Sequence, residues 1–168
     1  RVHPFEVLLA MNTYSKGRGD KGHLSWNPNK QVLEALDKAY YLSFEAVEPT
    51  GKRYLLAIDV SGSMNVPCIG SSSINCRDAA AAMMMVTART EENFDIVAFS
   101  HKLTPVDINK NDRLDQVISK TRKIPFGGTD CALPMIWAQE QRKAYDVFIV
   151  YTDNETWYGK VHPSRALM

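Results

Sequence analysis

Cysteine is scarce in this chain: Cys68, Cys76 and Cys131 are the full set, an odd number with no C-x-x-C pair. Neither a disulfide framework nor a thiolate zinc site is indicated, and a reducing compartment is the default. We therefore expect a cytoplasmic protein, with the nucleus as a second compartment. Charge of one sign is lacking as well. Lys plus Arg number 20 against 19 for Asp plus Glu, so no global field draws the chain onto nucleic acid or anionic lipid. Any RNA contact must then be local. Long apolar runs are missing too: residues 54–58 and 147–151 are of strand length, far short of the roughly 20 needed to cross a bilayer. No secretory leader is read, because Arg1 opens a helical pattern rather than an apolar run. No membrane partner is expected.

What is present is the mixture of an ordinary globular protein, 45% hydrophobic and 23% charged, which leaves no room for a disordered tail. Two regions differ in period. Up to about Phe44 the pattern is helical. Pro4 suits a first turn, Phe5, Leu8 and Leu9 follow at helical spacing, and Gly17 ends the helix. Asn27 before Pro28 predicts the cap and first position of a second helix, with Val32, Leu33, Leu36, Tyr40 and Phe44 as its apolar stripe. Residues 1–50 are accordingly expected to be the last helices of a helical-repeat neighbour.

From Lys52 strands alternate with helices, which predicts an α/β fold: a doubly wound, mostly parallel sheet with helices on both faces over residues 51–168. Strands are expected at 54–60, 95–100, 102–108 and 146–151, and helices at 74–89, around 114–124 and at 131–143. The connection between the second and third strands is too short for a parallel crossover, so they should form an antiparallel edge hairpin. Strand 146–151 reads as fully buried. The alanines and methionines of 79–85 read as packing against the sheet rather than as a cofactor box.

In an open parallel sheet, ligands collect where loops leave the carboxyl ends of strands. Three loops fit. Asp59-Val60-Ser61-Gly62-Ser63 follows an apolar strand and carries oxygen side chains at alternate positions, with Gly62 permitting a tight turn. Gly127-Gly128-Thr129-Asp130 precedes a helix, and Tyr151-Thr152-Asp153-Asn154-Glu155 follows the last strand. Asp59, Ser61, Ser63, Thr129 and Asp153 thus offer two carboxylates and three hydroxyls, with no imidazole or thiolate. That donor set suits Mg²⁺ first and Mn²⁺ second, rather than zinc or copper.

D-x-S-x-S, the Thr of G-G-T-D and the Asp of T-D match, one by one, the metal-ion-dependent adhesion site (MIDAS) of von Willebrand factor A domains, which this part of the chain resembles. Val2-His3-Pro4-Phe5, the run 49–53, Gly127 through Gln139 and the run 151–156 are similar to the TROVE-domain family of Ro RNA-binding proteins. That resemblance covers almost the whole chain. It implies a non-enzymatic scaffold of RNA quality control: a ring of helical repeats closed by an A-type domain, holding Y RNAs on the ring and the ends of misfolded small RNAs in its hole. It further implies that residues 1–50 are the last helices of such a ring, and that the A-type domain is C-terminally incomplete at Met168. With an octahedral shell these five residues leave a position of the cation open, which an acidic group from a protein partner, or a phosphate, is expected to fill. The alternative is an A-type domain that binds an acidic protein through Mg²⁺ in another intracellular complex, with no role in RNA.

Other motifs point nowhere. Ser61 lacks the G-x-S-x-G context of a hydrolase, and Asp59 lacks the second acid of an aspartyl phosphatase two residues on. Residues 17–22 spell G-x-G-x-x-G but follow a helix instead of a strand, and their Arg-Gly-Asp tripeptide has chance frequency. The sequon Asn154-Glu155-Thr156 lacks a secretory setting. Lys16, Arg18, Lys21 and His23 beside Trp26 could meet RNA phosphates and a base, although a solvated loop accounts for them better.

Overall fold

The computed structural model describes residues 2–68, 71–153 and 156–168. Helix α1 (Pro4–Lys16) starts where the His3 ring accepts the Phe5 N–H at 3.2 Å and ends at Gly17, in the left-handed conformation at φ 72°. A side chain at Gly17 would press on the Trp26 carbonyl, so glycine is required there. Helix α2 (Lys30–Leu42) starts two residues later than expected. Asn29, not Asn27, caps it by accepting the Gln31 N–H at 2.8 Å. Pro28 consequently lies before the helix, and Phe44 lies in a short 3-10 turn, Ser43–Ala46, after it. Val32, expected on the apolar stripe, is exposed.

Strand β1 (Arg53–Asp59) leads through a 3-10 turn at Gly62–Asn65 into α3 (Cys76–Thr90), then β2 (Asn93–Phe99) and β3 (Leu103–Pro105). Helices α4 (Leu114–Arg122) and α5 (Leu133–Glu140), strand β4 (Val147–Tyr151) and a short α6 (Pro163–Ala166) follow. The sheet order is β3-β2-β1-β4, with β1 parallel to both neighbours and β2 antiparallel to β3, the expected edge hairpin. Helix α3 starts at Cys76 rather than Ile74 because Asn75 caps it, accepting the Asp78 N–H at 2.8 Å. Helix α5 is shorter than the span 131–143: Pro134 holds its first turn, and the chain leaves it through Arg142 at positive φ.

The period of two along β1 sorts its side chains onto two cores. Tyr54, Leu56 and Ile58 face α3 and α4, packing with Met84, Met85 and Val117. Leu55 and Ala57 face α5, with Val97, Phe99 and Ala138. Helices therefore cover both faces, as parallel strands require. Leu8, Tyr40 and Phe44 from the N-terminal region belong to the first of these cores, so α1 and α2 pack onto the sheet-bearing part. Strand β4 is half-buried along its length, not fully buried, because it occupies the edge of the described sheet beside β1.

Candidate metal centre

The strand order places β2 on one side of β1 and β4 on the other, and the connections run over opposite faces. The loops leaving β1 and β4 at their carboxyl ends lie at the position where ligands usually bind in such sheets. Asp59 ends β1 and is fully buried, at 0% exposure. One carboxylate oxygen accepts the Ser61 N–H at 2.7 Å and the other accepts the Thr152 hydroxyl at 2.7 Å. This carboxylate thus joins the two loops. Sequence reading missed Thr152; a hydroxyl beside Asp153 at a strand end was the available signal.

Outward from Asp59 the oxygens form a chain. Ser61 Oγ lies 3.1 Å from Ser63 Oγ, and Ser63 Oγ donates to Asp153 Oδ1 at 3.1 Å. Ser61 is buried, whereas Ser63 and Asp153 are exposed, so the cluster runs from the core to solvent. Thr129 is buried, and its carbonyl accepts the Trp157 and Tyr158 N–H groups and the Thr156 hydroxyl at 3.0–3.2 Å. The G-G-T-D loop is thereby stitched to the loop that carries Asp153. The side chains of Ser61, Ser63 and Asp153 are linked in series and the Asp59 carboxylate holds the Ser61 N–H, whereas Thr129 is tied through its carbonyl to residues 156–158.

The glycines of that loop have specific reasons. A Cβ at Gly127 would collide with the His101 ring, and one at Gly128 would sit 3.1 Å from the Tyr158 ring. Phe126 lies over Gly62, 3.8 Å from the place a Cβ would take. Phe126, Trp157 and Tyr158 are all exposed, which leaves an aromatic rim beside the oxygen cluster.

Behind the cluster stands Arg77, 5% exposed, whose guanidinium donates to the Val60 carbonyl at 2.9 Å and weakly to that of Ser61 at 3.4 Å. Burial, then the neighbouring Arg122, lowers its pKa from the ordinary value, without discharging so strong a base. Its Nε has no hydrogen-bond partner among the described residues. Arg77 was invisible in the sequence, where an Arg-Asp pair opening a helix reads as surface. The nearby Cys131 thiol is pushed up by burial and then by Asp59 and Asp130. Among the described residues no cluster of three His, Cys, Asp or Glu side chains is present, so a centre built from these five residues rests on hydroxyls as well as carboxylates.

Of the groups at residues 16–26 that could face RNA, Lys16 and Trp26 are engaged within the fold. Lys16 pairs with Asp20 at 3.2 Å, while the Trp26 indole donates to the Tyr14 carbonyl at 2.9 Å and stacks on the Tyr14 ring. Asp20 also accepts the hydroxyls of Ser71, Ser72 and Ser73. Those hydrogen bonds hold its carboxyl far below the usual range.

Residues 53–168 match the family model described as the Ro60 vWA domain. The chain is 46% identical over 167 residues to the RNA-binding protein RO60 of Caenorhabditis elegans, covering 99% of this chain and 26% of that protein. It is 42% identical over 168 residues to the RNA-binding protein RO60 of Deinococcus radiodurans, covering 99% and 32%. The crystal structure of the Deinococcus radiodurans RO (RSR) protein superposes with a TM-score of 0.89 at 42% identity, over 99% of this chain and 34% of that one. The chain therefore spans about a quarter to a third of the relatives it matches. No helix among the described residues is long and apolar enough to cross a membrane. A family match over most of the chain, close relatives along all of it and a shared fold agree: the chain belongs to the Ro60 vWA domain family.

Proposed function

We propose that this chain is the A-type portion of a Ro-like RNA-binding scaffold, and that its metal centre is a docking point for an anionic group. Residues 1–50 are read as the last helices of the ring and 51–168 as the A-type domain. The full-length protein would hold small noncoding Y RNAs and misfolded RNAs in RNA quality control, in the cytoplasm and secondarily in the nucleus. RNA binding in the relatives, by name, supports the RNA role. It also makes the alternative, a complex with no RNA role, the weaker reading.

One observation carries the metal part: the oxygens of Ser61, Ser63 and Asp153 follow one another at 3.1 Å. An octahedral shell at about 2.1 Å sets neighbouring oxygens about 3.0 Å apart, so these residues fit Mg²⁺ or Mn²⁺ with little movement. Asp59 has both oxygens engaged and would neutralise the ion from behind, while Thr129 completes the five-residue set. When bound, the cation would supply an electrophilic point open to a carboxylate or phosphate. The exposed aromatic rim favours an acidic protein side chain with apolar neighbours as its ligand. The relatives carry no enzymatic name, which supports a binding role rather than catalysis.

Calorimetric titration of Mg²⁺, Mn²⁺ and Zn²⁺ into the chain and its Asp153→Ala variant tests the metal. Binding of Mg²⁺ and Mn²⁺ that the variant loses is expected; Zn²⁺ binding alone, or no binding, would overturn it. Gel-shift binding of Y-type RNA by the full-length protein tests the RNA role, and its absence would restore the alternative.

A further inference from the structure

Nothing in the spacing of Cys68 and Cys76 marks them as partners, yet the fold sets their sulfurs 3.7 Å apart. After the 3-10 turn that carries Ser63, the chain doubles back on itself. The Cys76 N–H donates to the Val66 carbonyl and the Cys68 N–H to the Ile74 carbonyl, both at 2.9 Å, and Pro67 bridges Asn75 antiparallel. Positions 66, 68, 74 and 76 consequently share one face of a narrow ribbon, with Cys68 and Cys76 diagonal across it. Both thiols are free and half-buried.

We propose that Cys68 and Cys76 are a reversible modification site, a dithiol that a hydroperoxide oxidises to a disulfide within this loop. The sulfurs need to close from 3.7 Å to about 2.05 Å, a shift of loop scale. Burial, and then Cys76, pushes the Cys68 thiol up to about 11. Cys76, at the first position of α3 and accepting from the Cys68 thiol, is the first nucleophile. Its thiolate attacks a peroxide oxygen, the O–O bond breaks, and the departing hydroxide leaves as water, giving a sulfenic acid. The Cys68 sulfur then attacks the Cys76 sulfur, and the sulfenic hydroxyl leaves as water with the Cys68 proton. In sum, two thiols and one hydrogen peroxide give one disulfide and two waters: sulfur is oxidised and the peroxide reduced. Glutathione would reverse it, as befits a transient bond in a reducing compartment.

The bond would stiffen the segment that leads from the metal loop to α3. Arg77, next to Cys76, clamps the Val60 and Ser61 carbonyls, while Ser71, Ser72 and Ser73 hold Asp20 of the α1–α2 connection. The site stands on its own, whether or not a cation binds at Asp59.

The full chain is treated with hydrogen peroxide, blocked with N-ethylmaleimide in denaturant, and cut with trypsin. Cleavage after Arg53 and Arg77 leaves both cysteines in one peptide, residues 54–77. That peptide should refuse maleimide until dithiothreitol is added and then accept two labels, while Cys131, on the opposite face of the sheet, labels without reduction. Oxidation should raise the thermal midpoint by a few degrees in the parent and leave Cys68→Ser unchanged. In Cys68→Ser the sulfenic acid on Cys76 should be trapped by dimedone. Labelling of both cysteines without reduction, linkage through Cys131 or between chains, or sulfinic acid on Cys76 of the parent would each overturn the proposal.

Discussion

Asp59→Ala and Ser63→Ala each remove one oxygen-bearing side chain from the same loop, and the fold predicts unequal results. The Asp59 carboxylate is buried and fixes both the Ser61 N–H and the Thr152 hydroxyl at 2.7 Å. Its truncation leaves the N–H of a buried residue without its acceptor, which costs about 1–3 kcal/mol of stability. It also withdraws a charge that would neutralise the cation and loosens Ser61. Loss of such a supporting group typically weakens metal binding about 10–100-fold, or about 1.4–2.8 kcal/mol. Ser63 is exposed and neutral, and water can replace its hydroxyl toward Ser61 and Asp153. Its removal should change stability by no more than about 0.5 kcal/mol and affinity by less than about 10-fold. Asp59→Asn separates the two effects, since it keeps an acceptor for the Ser61 N–H while losing the charge. Mn²⁺ calorimetry, with thermal melts recorded in chelator, reads both quantities. If Asp59→Ala binds Mn²⁺ as tightly as the parent, these residues are a turn-and-cap cluster and the metal reading is wrong.

Phe99→Ala should cost about 3–5 kcal/mol in chemical denaturation, because the ring is fully buried between β1 and α5, whereas Phe126→Ala on the rim should stay within about 0.5 kcal/mol. Gly127→Ala should destabilise through collision with the His101 ring, and His101→Ala in the same chain should restore much of the loss in thermal melts; no rescue would show that backbone conformation is at fault. For Glu91, burial raises the carboxyl pKa, but N–H donation from Thr50 and Gly51 and the hydroxyls of Thr50 and Tyr54 outweigh it, leaving the pKa below its ordinary value. A depressed folded pKa means that this stability is present above the unfolded value and is lost as pH falls through the folded one. Melting in Glu91→Gln should therefore be lower than in the parent at neutral pH, with the gap narrowing below the usual carboxylate range.

Strong periodicity was legible in the sequence. The four strands, the hairpin between β2 and β3, and α3 through α5 stand within a few residues of where the apolar pattern put them. Ends failed where two signals competed: Asn27 and Asn29 flank Pro28, and only the path of the chain after Gly17 decides which asparagine caps α2. The apolar run of β4 suggested full burial because a run records what a strand can bury, not which neighbours it has. At the candidate site, loop position and residue type pointed to the hydroxyls and carboxylates. Arg77 and the Cys68–Cys76 approach depend on pairings across sequence that no local pattern encodes.

The family model begins at residue 53, and cloning from that point would be the natural way to isolate the A-type part. The sharing of one core by Leu8, Tyr40, Phe44, Ile74 and Met84 argues against that cut. Excision would bare a face of α3 and β1 that the two preceding helices now cover, and the product would be sticky in solution rather than autonomous. In this chain the edge of a sequence family and the edge of a folding unit are different places.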